Sequence, residues 1–405
     1  MTVDTSEDGS DSAARRSVGT TIGCPSVDEA VSAGEAVLAH RFGSAITLVE
    51  PEDLAGSGPA TVVRAKVATS PFALPRTLVI KCYPPAPDGA EPSTIDPFAQ
   101  EAVSYQLFTA LPQEERVCPE LLAHSSEHRV LVIDDLGRAP TLEDTLYRSD
   151  ARAAERALLS WARVLGKLHA STAGREADFN ALLRRLGRRV HGEDTGFVVA
   201  TAQLPALLED VLGVATPDSV RARVDAVAEQ ARSARYRAFS PVDLSPDNNL
   251  VTGSGVRFLD FERGRVRSAL VDAACLRVPF ISAEQPLALP VGMSEAMIAA
   301  WRAEVAGVWP ALVDDDLLSA HLLDSQLLRV WLATWESLPR VLAGGAGAAA
   351  PTGRAAALVT WWADLATHAE RAGLTDVAEH AGLVAGTLDA RYGPGLRLAL
   401  YPAFR

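Results

Sequence analysis

The stretch Phe239-Ser240-Pro241-Val242-Asp243-Leu244-Ser245-Pro246-Asp247-Asn248-Asn249-Leu250-Val251, followed by Val256-Arg257-Phe258-Leu259-Asp260-Phe261-Glu262, decides the reading of this chain. Asp, Asn, Ser and Pro favour turns, so residues 239–251 read as a loop, and residues 255–261 close a short hairpin behind it. A turn needs no carboxylate at the end of the strand that follows it, yet Asp260 ends an apolar run there, where a polar group is costly unless it is used. Phosphoryl transfer needs little covalent help from a protein. It needs a carboxylate near the attacking hydroxyl and oxygen ligands that hold a divalent cation on the phosphates. The hairpin brings Asp243, Asn248 and Asp260 towards one point and offers both.

Upstream of this segment the pattern is mixed. Ser26 and Glu29 form a capping box ahead of Val27, Ala30, Val31, Val37 and Leu38 at helical spacing, with Gly34 a weak point, so a first helix runs to about His40. Residues 46–49, 61–67 and 77–81 are rich in β-branched residues and read as antiparallel strands. A Pro-rich stretch at 84–97 follows. Asp96 then caps a helix with Pro97 at its first position, running to about Leu111, and strands at 120–123 and 129–133 complete the sheet. After Asp134-Asp135-Leu136-Gly137 the composition shifts to Ala, Leu and Arg at a period of three to four residues, so the second half is mainly helical, with a Gly/Ala/Pro loop at 344–353.

Composition narrows the function classes. With 405 residues, 48% of them hydrophobic, the chain can bury a large core. Its net charge of −13 repels a phosphate backbone, which argues against nucleic acid as a partner. Cys24, Cys82, Cys118 and Cys275 are far apart and lack zinc-ligand spacing, which suggests a reducing cytoplasm. The polar first 25 residues read as a disordered tail without a secretory signal. No apolar run is long enough to span a membrane, since even 269–281 carries Asp272 and Arg277.

The pattern Asp, four residues, Asn, an apolar pair, a turn, an apolar run and Asp-Phe-Glu resembles the catalytic loop and metal-binding segment of the aminoglycoside phosphotransferase and choline-kinase-like family. Other landmarks follow in order. Leu78-Val79-Ile80-Lys81 resembles the strand whose lysine holds the nucleotide phosphates, and Glu101 resembles its helix-borne ion-pair partner. Residues 130–137 resemble the last strand and hinge, which places Asp134 and Leu136 at the adenine. Gly56 and Gly58, either side of Ser57, stand where a phosphate-covering turn belongs. Residues 165–170 resemble the helix that ends beneath the catalytic loop, where His169 reads as a packed core histidine and Asp272 as a residue that steadies the loop.

The resemblance implies a bilobal, protein-kinase-like α+β fold. Residues 26–133 form a small antiparallel-sheet lobe that binds nucleotide, and residues 134–405 form a helical lobe with the catalytic loop and acceptor site. It implies a cytoplasmic ATP- and Mg2+-dependent enzyme that phosphorylates a hydroxyl of a small molecule such as an aminoglycoside, another antibiotic or a metabolite, with Asp243 as base and Asn248 and Asp260 as metal ligands. Glu209, Asp210 and the run 314–316 are acidic candidates for a cationic acceptor. Two departures stand out: Pro241-Val242 replaces the usual His-Gly, and Ser245 replaces a common histidine. Pro241 is expected to hold the loop by stiffness instead. The alternatives are a protein kinase, disfavoured because only a short segment separates Asp260 from Asp272 and no Ala-Pro-Glu follows, and a non-catalytic nucleotide-binding regulator.

Overall fold

The computed structural model describes residues 25–56, 58–70, 74–86, 95–188, 195–281, 283, 285–343 and 349–405. The expected N-terminal tail, Ser57, most of the Pro-rich stretch and residues 344–348 of the expected Gly/Ala/Pro loop lie outside them. Helix α1 (Val27–Phe42) opens on the Ser26/Glu29 capping box, which satisfies two of the amides that a helix start leaves unpaired. Strands β1 (Thr47–Asp53), β2 (Thr61–Thr69) and β3 (Thr77–Cys82) follow. Helix α2 (Pro97–Thr109) is capped by Asp96, and β4 (Leu121–Ser125) and β5 (Val130–Asp134) complete a five-stranded antiparallel sheet in the order β1-β2-β3-β5-β4.

Strand alternation divides the side chains of β3 between two cores. Ile80 and Cys82 pack with Val37 and Leu38 of α1, while Val79 joins the core that continues through α2 into the second lobe. Gly34 is more than a weak point in the helix. A Cβ there would lie 2.8 Å from Ile80 Cδ1, so the missing side chain lets α1 sit close against the strand that carries Lys81.

The second lobe is helical. It comprises α3 (Leu142–Tyr147), α4 (Ala151–Thr172), α5 (Glu176–Arg185), α6 (Thr195–Leu212) and α7 (Asp218–Arg232), then, after the loop region, α8 (Ala269–Ala273), α9 (Met293–Val305), α10 (Asp315–Ala343), α11 (Ala349–Arg371) and α12 (Thr375–Tyr392). The loop expected to run to residue 353 therefore gives way to helix at Ala349. Pro351 lies in the first turn, where the missing amide has no intrahelical partner to lose. Helices α6, α7 and α10–α12 enclose their own core around Trp331 and Trp362.

Between α7 and α8 lie two hairpin-like pairs, one more than the sequence suggests. Strands β7 (Asn249–Thr252) and β8 (Gly255–Phe258) form the expected hairpin. Strand β6 (Arg237–Ser240) pairs antiparallel with β9 (Arg265–Ser268), clamping both ends of the segment that carries Asp243 and Asp260. The protein therefore has the expected fold class: a small antiparallel-sheet lobe over a large helical lobe. Among the described residues no helix is long and apolar enough to cross a membrane.

Candidate active site

Lys81 shares its face of β3 with Val79, turned away from α1, and is 8% exposed. Its Nζ lies 2.5 Å from Glu101 Oε1 on α2 and 3.1 Å from Asp260 Oδ1. Glu101 is fully buried. It also accepts hydrogen bonds from Tyr83 Oη and, at 3.3 Å, from the Phe261 amide. Burial pushes its carboxyl up to about 7 against the pull of Lys81. Burial works to lower the Lys81 pKa, but the Glu101 and Asp260 carboxylates outweigh it and raise it. Asp260 likewise feels burial as an upward push, which Lys81 overcomes, so the carboxylate stays ionised below its usual range.

Asp243 begins an Asx turn in which its Oδ1 accepts from the Ser245 amide at 3.0 Å. Residues 246–248 form a single 3₁₀ turn, and the Leu259 amide donates to the Asn248 carbonyl at 3.0 Å, tying the loop to the strand end that bears Asp260. Asn249 is buried and structural, donating from Nδ2 to the Ser245 carbonyl at 2.6 Å.

Beneath the loop is a buried polar network. Asp272 receives Arg267 Nη2 at 2.5 Å and His169 Nε2 at 3.3 Å. The Trp301 indole donates to His169 Nδ1 at 3.0 Å, which leaves the proton of a neutral His169 on Nε2, facing Asp272. Burial pushes the Asp272 pKa up, but Arg267 and the His169 hydrogen bond together hold it far below the carboxylate range. Arg267 Nε also donates to Ser240 Oγ at 2.9 Å, and Ser240 Oγ accepts from the Val242 amide at 3.0 Å. The loop is thus held by an Arg267–Ser240 relay. Val242 sits at φ +68°, a left-handed conformation that a β-branched residue rarely adopts, at the position where the resembled family has glycine.

Two cavities flank the loop. The first, of about 620 Å³, lies between the lobes and is lined by Lys81, Asp134, Leu136, Gly56, Gly58, Asn248 and Asp260, so the structure brings these predicted residues together, with Glu101 behind Lys81. Asp247 and Glu262 line it too, and sequence reading did not single them out as site residues. Burial raises both their pKa values, helped by neighbouring Asp243 and Asp260 respectively. A Cβ at Gly58 would lie 3.3 Å from Glu262 Oε2, which places Gly58 against this wall. At the hinge, Asp135 holds Arg64 at 2.9 Å and the Gly137 amide at 2.9 Å, fixing the backbone next to Leu136. The second cavity, of about 800 Å³, contains Asp243. None of Glu209, Asp210 or residues 314–316 lines it; Asp314 instead caps α10, and Asp315 pairs with Arg302.

Asn248 and Asp260 fit a magnesium ion that keeps most of its shell as water and phosphate oxygen, because they offer one neutral and one ionised oxygen donor on adjoining backbone. Among the described residues there is no cluster of three or more His, Cys, Asp or Glu that could form a dedicated metal cage.

No family model matches the sequence, and no curated protein matches it. The chain is similar to several solved structures. They include a choline/ethanolamine kinase family protein from Mesorhizobium loti (14% identity, 83% of this chain and 93% of that chain, TM-score 0.47). Another is a Ralstonia eutropha structure assigned to the aminoglycoside phosphotransferases (15% identity, 89% and 98%, TM-score 0.49). A third is a Thermobifida fusca structure assigned as a fructosamine-3-kinase (16% identity, 77% and 96%, TM-score 0.43). The likeness is one of fold. The fold class rests on the chain's own architecture, a five-stranded lobe holding the Lys81–Glu101 pair above a helical lobe that presents Asp243 and Asp260.

Proposed function

We propose that the protein is an ATP- and Mg2+-dependent phosphotransferase that moves the γ-phosphoryl group to a hydroxyl of a small molecule, an antibiotic such as an aminoglycoside or a metabolite. The observation that carries this reading is the division of one loop between two cavities: Asn248 lines the cavity that holds Lys81 and Asp260, and Asp243 lines the other. In this reading the backbone around Asp134 and Leu136 receives the adenine, and Gly56 and Gly58 let the turn approach the phosphates. Lys81, fixed by Glu101, neutralises phosphate charge. Asn248 and Asp260 would hold the magnesium ion, whose chemistry is to neutralise charge developing on the phosphate oxygens.

Asp243 accepts the proton of the acceptor hydroxyl and orients its oxygen towards the γ-phosphorus. The new O–P bond forms as the bond to the β–γ bridging oxygen breaks, and ADP leaves with that electron pair. Cys82, Cys118 and Cys275 are free and buried, which fits a reducing, cytoplasmic setting. The reading is tested by ATP calorimetry with and without excess chelator, alongside ATP turnover with a panel of hydroxylated acceptors. Metal-dependent ATP binding and acceptor-dependent ADP formation support it, and equal ATP affinity with chelator refutes it.

The strained Val242 favours one second reading, a nucleotide-binding regulator whose loop no longer transfers phosphate. It would win if the native chain never formed product across the acceptor panel while the Pro241→His, Val242→Gly double variant did.

A further inference from the structure

The cavity that contains Asp243 has an unexpected charge for this protein. The chain carries a net −13, yet among the described residues Arg263, Arg265, Arg329, Arg340 and Arg354 line this space together with two carboxylates, Asp243 and Glu336. Arg267 lines it too but is committed to Asp272 and Ser240, and Arg265 and Arg354 also have partners of their own. The arginines come from three places in the chain, the β9 segment, helix α10 and helix α11, so their convergence is a property of the folded molecule.

Arg329 makes this more than a basic surface. It is 7% exposed, and among the described residues it has no hydrogen-bond or ion-pair partner, with Nε fully buried and unsatisfied. A guanidinium taken out of water without a counter-charge is costly, and that cost is relieved when an anion enters the space it lines. Guanidinium groups also match carboxylate and phosphate geometry with two parallel hydrogen bonds. Trp335, Leu332 and Ile281 supply an apolar wall for the rest of such a molecule.

We infer that the acceptor is an anion: a hydroxylated small molecule bearing a carboxylate or phosphate group, which Arg329 and its neighbours bind while the hydroxyl faces Asp243. This rests on the phosphotransferase reading for the role of Asp243, and it replaces a polycation such as an aminoglycoside as the preferred acceptor. A polycation would meet the uncompensated guanidinium of Arg329.

The full chain is first titrated with AMP-PNP·Mg, then, nucleotide-saturated, with gluconate, glucose 6-phosphate, glucose and kanamycin, by calorimetry and by tryptophan fluorescence, to which Trp335 contributes. Gluconate, glucose 6-phosphate or both are expected to bind, the pattern separating carboxylate from phosphate, with neither glucose nor kanamycin binding. Arg329→Lys should weaken anion binding by about tenfold or more, the effect of losing a charge-assisted pair, and the exposed Arg340→Ala should weaken it as well. The second variant stands if the first fails to fold. Binding of AMP-PNP·Mg with no anion binding, preferential binding of kanamycin, or anion affinities unchanged in the folded variants would overturn the anionic acceptor and leave the phosphotransferase reading intact. Failure to bind AMP-PNP·Mg would remove that reading instead, and the anion titration of the nucleotide-free chain would still decide the cavity's preference.

Discussion

Glu101 and Lys81 are both buried, but removing one is not equivalent to removing the other. In Glu101→Ala the lysine keeps its charge in a site that burial disfavours, and Tyr83 Oη and the Phe261 amide lose their acceptor. Breaking a buried pair in this way costs about 3–5 kcal/mol. Asp260, 3.1 Å from Nζ, remains as counter-charge, so about 2–4 kcal/mol is expected here. In Lys81→Met the carboxyl is already raised to about 7 by burial and rises further without its partner, so near neutrality it takes up a proton instead of staying charged. That variant should lose only about 1–2 kcal/mol at pH 6.

The pH dependence has opposite signs in the two variants. In folded Lys81→Met, Glu101 titrates above its unfolded value of 4.5, so the native state keeps a proton the unfolded state has released. Wild type shares this loss between 4.5 and about 7, so the penalty relative to it grows as pH rises above about 7, by up to about 1.4 kcal/mol per unit. In Glu101→Ala, burial without Glu101 pulls Lys81 down from its raised value, and the wild-type destabilisation between 4.5 and about 7 disappears. Its penalty shrinks as pH rises. Urea unfolding midpoints from pH 5 to 10 for wild type and both variants read this directly. Penalties that move in the same direction, or a Lys81→Met loss larger than that of Glu101→Ala at pH 7, would refute the reasoning.

Val242→Gly relieves a left-handed β-branched residue, worth about 1–2 kcal/mol, against about 0.5–1 kcal/mol of added chain entropy, so urea unfolding should show a net gain of about 0.5–1 kcal/mol. Gly34→Ala drives a methyl to within 2.8 Å of Ile80 Cδ1; despite better helix propensity it should cost about 1–2 kcal/mol and weaken ATP binding measured by calorimetry, because β3 carries Lys81. His380 packs between Trp331 and Trp362 with neither ring nitrogen bonded, and burial lowers its pKa from 6.5 to about 4. The unfolded chain binds the proton first, so the native contribution is intact above 6.5 and lost as pH falls towards 4. His380→Leu should gain on wild type by up to about 1.4 kcal/mol per pH unit across that window in acid unfolding followed by circular dichroism.

Much of the fold was legible because its signals are local. The Ser26/Glu29 box, the Asp96-Pro97 start and the β-branched runs each carry their own physics, and β1 to β5 and α2 fall within a few residues of where sequence puts them. Lys81 was legible as a charge ending an apolar strand, and Asp260 as a carboxylate where a turn needs none. What escaped is tertiary. Strands β6 and β9 have four residues each and lie far apart in sequence, and Arg265 and Arg267 disguise β9 as a polar loop. The Arg267–Ser240 relay beneath the loop, the Arg64–Asp135 pair at the hinge and the convergence of arginines on Asp243 join residues separated by tens of positions, and nothing in their local spacing announces them. Asp247 and Glu262 carried a signal, being adjacent to residues already chosen, but both types are common in turns.

The central claim is that one loop serves two cavities, Asp260 on the nucleotide side and Asp243 on the acceptor side. The direct test measures ATP·Mg affinity and phosphate transfer, or basal ATP hydrolysis, for Asp243→Asn and Asp260→Asn. Asp243→Asn should leave affinity nearly intact while turnover falls by about a hundredfold to ten-thousandfold, the range for a positioned general base. Asp260→Asn should lower both affinity and rate. Loss of nucleotide binding in Asp243→Asn with retention in Asp260→Asn would reverse the two roles, and an unchanged rate in both would contradict the account.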